Sequence, residues 1–141
     1  MPTLAYMLAL VFFLLALVHV YWACGGRWGA AAAVPQKPDG QPVFIPGAAA
    51  SLTVALGLLL FGCICLVRIQ ALPAPDFIPP RIARWALLVM AAIFLLRAIG
   101  DRRYCGLMRK INGTYFARQD RKYFTPLCAA LALALLVLAL C

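Results

Sequence analysis

His19, Asp101 and Asp120 are the side chains here with the means to move a proton. Arg97 and Arg103, together with Trp22, are the ones suited to hold an anionic ligand. His19 is the only histidine. Imidazole changes charge nearest to neutral pH, so His19 can act as general base, proton relay or metal ligand. Oriented by Asp101 or Asp120, it could act on a lipidic or quinone-like substrate. The structural alternative is one hydrogen bond inside a helix bundle, or a place beside Trp22 in an aromatic belt. Arg97 and Asp101, at the end of the third span, are four residues apart, so they share one helix face and are expected to pair. Paired, they anchor a helix end; otherwise Arg97 is free to meet a ligand.

Metal and nucleotide chemistry find little support. The six cysteines form no C-x-x-C. Cys63 and Cys65 are one residue apart, which on a helix turns them about 200° from each other and prevents easy joint ligation. The cysteines read first as small apolar residues in membrane helices. Cys105, in a basic loop, is the expected reactive thiol. No metal or cofactor is expected. No G-x-S-x-G, H-E-x-x-H, Walker or G-x-G-x-x-G pattern occurs, which counts against familiar hydrolase, metalloprotease and nucleotide-driven reactions.

The elements that position these residues must be membrane helices. Of 141 residues, 66% are hydrophobic and 12% charged. Soluble domains are roughly half apolar and about a quarter charged. One small core cannot bury so much apolar surface, and lipid must cover the rest. The expected fold is all-α, a single domain of four transmembrane helices. Spans are expected over about residues 4–24, 47–67, 82–99 and 124–141. The third is the least regular, since only Trp85 to Leu96 is free of charge. Arg84 and Arg97 can snorkel to opposite headgroup layers and extend it. The first segment lacks the basic n-region of a signal peptide and its apolar stretch is too long for an h-region, so it is expected to stay as a span.

Loop charge supplies a direction. The net charge is +9, from 13 Lys and Arg against 4 acidic residues. The loops 25–46 and 101–123 share one side and carry nine of the basic residues, against Arg68, Arg81 and Arg84 opposite. Lys and Arg collect on the cytoplasmic side, so both termini are expected outside. Nothing resembles a basic nucleic-acid recognition module. Four prolines between Gly25 and Pro46 forbid a continuous helix there, and Pro73, Pro75, Pro79 and Pro80 make the second connection an extended linker. The third connection mixes basic and aromatic residues, as suits headgroup level, and Asn112-Gly113 marks a turn. Gly47, Ser51 and Ala55 form a small-residue stripe for close helix approach. This topology brings His19, Trp22, Arg97, Asp101 and Asp120 to one membrane level.

These residues also carry a resemblance. His19-Val-Tyr-Trp22-Ala-Cys-Gly25-Gly26, Pro35, Arg97-Ala-Ile-Gly100-Asp101-Arg-Arg103, Phe116-Ala-Arg-Gln-Asp120 and Tyr123-Phe-Thr-Pro126-Leu-Cys128 together resemble the DUF3995 family of small four-helix membrane proteins. Thr125 stands where serine is expected. The resemblance implies four helices and a bacterial inner membrane, and no activity. The leading expectation is a binding protein or accessory subunit. It would meet an anionic lipid or other amphiphile at the cytoplasmic leaflet, through Trp22, Arg97 and Arg103. An enzyme using His19 with Asp101 or Asp120 is the second reading, and a small dimeric transporter the third. Membrane lipids, a second copy or a membrane partner subunit are the expected partners.

Overall fold

A computed structural model describes residues 1–73 and 79–141. Its elements are α1 (Pro2–Ala23), α2 (Ala30–Ala33), α3 (Ala48–Arg68), α4 (Pro80–Ile99), α5 (Tyr115–Gln119), a π-helical turn (Asp120–Phe124) and α6 (Thr125–Leu140). Four helical stretches are long and apolar enough to cross a membrane: Pro2–Ala23, Ala48–Arg68, Arg81–Ile99 and Tyr115–Leu140. The protein is an all-α membrane bundle. At about 1.5 Å per residue each stretch covers a hydrocarbon core of about 30 Å. Pro75 of the second connection lies outside the described residues. Pro80, read as linker, instead starts α4, where its missing N–H costs nothing.

The packing pairs α1 with α3 and α4 with α6, and α3 against α4 joins the pairs. Ser51, Ala55, Leu58, Gly62 and Cys65 make the buried face of α3. Small side chains along it let the backbones approach, as membrane helices require in the absence of a strong hydrophobic drive between them. The expected stripe is thus extended to Gly62, against which the ring of Phe13 rests. Gly47 is exposed at the start of α3. The rings of Phe12, Phe61 and Phe94 pack mutually, with centroids 5.6–6.3 Å apart, and tie α1, α3 and α4 together. Leu10, Leu14, Leu17, Leu56, Leu60, Leu96 and Leu133 remain exposed, which is where lipid must lie.

Helix ends follow from the local sequence. Gly25 takes φ +90° after the last turn of α1. Gly25 N–H donates to Trp22 O and Gly26 N–H to Tyr21 O, both at 3.0 Å, the pair of bonds of a Schellman cap. The same bonds close α3 through Gln70, at φ 60°. The fourth span begins earlier than expected. Thr114 caps α5, accepting from Ala117 N–H at 3.1 Å. The helix then passes through the π-helical turn into α6 without a break. Residues 115–123, read as loop, are helical.

Candidate functional site

Asp120 is completely buried. It sits in the π-helical turn, a form of backbone often found where a side chain has to be aimed. Arg97 Nη2 donates to its Oδ1 at 2.8 Å. Its Oδ2 accepts from Gly106 N–H at 2.9 Å, Thr125 Oγ1 at 3.1 Å and Arg109 Nη1. Arg109 itself is buried, and its Nε donates to Asn112 Oδ1 at 3.2 Å. One carboxylate therefore draws together α4, the loop after it, and the start of α6. Two guanidinium groups and one carboxylate leave the knot cationic overall, and the buried Arg97 Nη1 atom has no hydrogen-bond partner among the described residues.

The expected Arg97–Asp101 pair does not form. Helix α4 ends at Ile99, and Gly100 leaves it with φ +91°. Asp101 is thus outside the helix, and the four-residue spacing no longer places both on one face. Its Oδ1 instead accepts from the N–H groups of Arg103, Tyr104 and Cys105, at 3.0, 2.7 and 2.9 Å. Partial burial pushes the Asp101 carboxyl up. The N–H groups of Cys105, Arg103 and Tyr104 outweigh it and hold the carboxyl below its ordinary range. The turn they close brings Gly106 back onto Gly100: a Cβ on Gly100 would overlap the Cys105 carbonyl. Leu107 and Met108 N–H groups then cap the carbonyls of Ala98 and Ile99 at 2.9 and 3.1 Å.

His19 and Trp22 lie elsewhere. They line a half-open cleft of about 580 Å³ between the end of α1, the first basic loop and the start of α3. Its walls are mainly Ala, Val, Pro, Phe and Ile side chains, and Gln36 and Ser51 are its other polar members. His19 Nδ1 is 2.8 Å from Leu15 O, and the rings of His19 and Trp22 meet edge to face, centroids 4.9 Å apart. Trp22 Nε1 donates to Trp28 O at 2.8 Å, which fixes the path of the chain out of α1. The loop folds back at Asp39-Gly40, with Lys37 N–H to Gln41 O and Val43 N–H to Pro35 O, both 2.8 Å.

The residues expected together occupy two separate places. No hydrogen bond joins His19 to Asp101 or Asp120 among the described residues, and both carboxylates are engaged by other donors. Arg103 is exposed, its guanidinium 5.2 Å from the Tyr104 ring centroid. The two places are connected where α5 touches α2 and Phe116 N–H donates to Gln36 Oε1 at 3.2 Å. Cys105 departs from its expected role as the reactive thiol. Burial pushes its thiol up, against the opposing charge of Arg97, so little thiolate is present at neutral pH. Among the described residues no three His, Cys, Asp or Glu side chains gather in a way that could hold a metal ion.

Sequence reasoning missed Arg109 and Gly106. Arg109 read as one more topological charge in a loop rich in Lys and Arg. The available signal was the arrangement itself: a half-buried Arg97 needs a carboxylate, and Asp101 follows a glycine able to end the helix.

Four apolar helices, with a buried ion knot and an apolar cleft at the end that bears the basic loops, define a polytopic membrane protein. A family model described as a protein of unknown function (DUF3995) matches residues 12–135, and the chain belongs to that family. The matched stretch contains the cleft residues of α1 and the whole knot. No curated protein and no solved structure matches the chain.

Proposed function

We propose that the protein binds an amphiphile in the cleft formed by α1, α2 and α3, as a binding protein or accessory subunit of the membrane. The cleft itself carries this reading. Its volume, about 580 Å³, falls in the range of roughly 300–1,000 Å³ common for small-molecule sites. It combines apolar walls with a few polar side chains, the composition such sites share. It also lies at the end of the spans, where the apolar part of a lipid meets water.

The same reading places this end in the cytoplasm of a bacterial inner membrane, because nine basic residues lie in its two loops. Exposed Arg103, Lys110, Arg118, Arg121 and Lys122 then meet anionic headgroups of the inner leaflet, each contributing about 1 kcal/mol when near the surface. Arg97 serves the knot, with its Nη2 on Asp120. Trp22 serves the cleft. The enzymatic reading requires a carboxylate to orient His19, and both candidates are engaged elsewhere.

Mass spectrometry of the protein released from native-lipid particles tests this. The wild type is expected to retain an amphiphile that Ala50→Phe, on the exposed start of α3 and lining the cleft, loses. Equal retention by both proteins, or none by either, contradicts the reading.

A further inference from the structure

The cleft carries no formal charge. None of its lining residues is Lys, Arg, Asp or Glu. An anionic headgroup inside it would lose water and gain no cation, which is costly in apolar surroundings. The cations nearest in sequence to its lining residues, Arg27 and Lys37, are exposed and do not line it.

The polar groups that remain have defined roles. Leu15 O is a carbonyl and only accepts, so His19 Nδ1 carries the hydrogen of their 2.8 Å bond. In the neutral imidazole Nε2 is then an acceptor, and no bond engages it among the described residues. Gln36 uses Oε1 to accept from Phe116 N–H, which leaves its amide NH₂ as an unengaged donor. The indole N–H of Trp22 is already spent on Trp28 O. Beside the Ser51 hydroxyl, which can donate or accept, the cleft thus offers a ligand one side-chain acceptor and one side-chain donor, without charge.

From this we infer that the amphiphile is a neutral lipid with a hydroxyl headgroup, of the long-chain alcohol class. A hydroxyl donates to His19 Nε2 and accepts from the Gln36 amide, while its chain lies along the walls at Ala31, Val34 and Val54. A carboxylate or phosphodiester has no hydrogen for Nε2 and would set a lone pair against it. This inference rests on the reading that the cleft holds an amphiphile, and adds which one.

Photolabelling of the full chain in phosphatidylcholine nanodiscs separates the two claims. The probes are a diazirine-bearing long-chain alcohol and the carboxylic acid of the same length, with labelled peptides mapped by mass spectrometry. The alcohol is expected to label the cleft residues about fivefold or more above the acid, the value of one hydrogen bond. His19→Phe is expected to abolish that preference, and His19→Gln, whose side-chain oxygen can stand near Nε2, to restore part of it. Equal labelling by both probes, or preference for the acid, overturns the hydroxyl inference and leaves the amphiphile reading standing. Labelling outside the cleft by both probes overturns both. If His19→Phe fails to fold, the comparison of probes on the wild type still decides.

Discussion

At the scale of single residues, Asp120 has the largest structural role. Its carboxylate meets two arginines, a backbone N–H and a hydroxyl while fully buried. Removing one partner of a buried ion pair costs about 3–5 kcal/mol, because the remaining charge is left uncompensated. Asp120→Asn is expected to lose stability of that order in mild detergent, read as a lowered thermal midpoint. A midpoint like the wild type's would mean that the arginines find other partners. Asp101 behaves differently, since it is exposed and holds only its own turn. Its carboxyl is depressed, so its contribution is present above the ordinary carboxylate value of about 3.9 and is lost as pH falls through the folded value. Asp101→Asn should therefore be less stable than the wild type at neutral pH, and the gap should close under acid. A gap that stays constant down to strong acid contradicts this. Neither role was legible from spacing alone. Arg97 and Asp101 have the interval of a helical pair, and the helix ends between them.

At the scale of elements, hydropathy made the four spans legible, because lipid leaves only helices as economical crossings. The third span illustrates why counting uncharged residues is insufficient. Arg84 is exposed at one end and Arg97 is tied to Asp120 at the other, so α4 runs Pro80–Ile99 through both charges. The start of the fourth helix was not legible, because Arg118, Asp120, Arg121 and Lys122 look like a loop. They are helical because Thr114 caps the first turn and Asp120 finds its cations. The caps make further predictions. Gln70 is a non-glycine residue at φ 60°. The left-handed conformation costs such residues roughly 1–2 kcal/mol, and glycine's own entropy returns part of that. Gln70→Gly is expected to raise stability by roughly 0.5–1 kcal/mol. Gly100→Ala should lower it by about 1–3 kcal/mol or more, through backbone strain at φ +91° and overlap with Cys105. Thermal melts of both variants in one detergent check the opposite signs; a gain for Gly100→Ala would contradict the close turn.

At the scale of the whole molecule, the basic loops share one end, and Phe116, on the helix that leads into the knot, donates to Gln36 in the cleft wall. The knot holds the end of α4 to the start of α6, and α5, just before it in the chain, packs against α2. The sequence pointed to this end from charge alone. It did not show the cleft, because the cleft depends on how the loop of residues 25–46 folds over α1 and α3, which no periodicity encodes. The proposed direction has its own check. A green fluorescent protein fused after Cys141 should stay dark, and alkaline phosphatase there should be active; bright fluorescence would reverse the orientation. Occupancy of the cleft is read from a structure of the protein in native lipid. Elongated non-protein density is expected between α1 and α3, in contact with His19 and Trp22. A cleft closed by the protein's own side chains, with His19 turned toward bulk lipid, would contradict it.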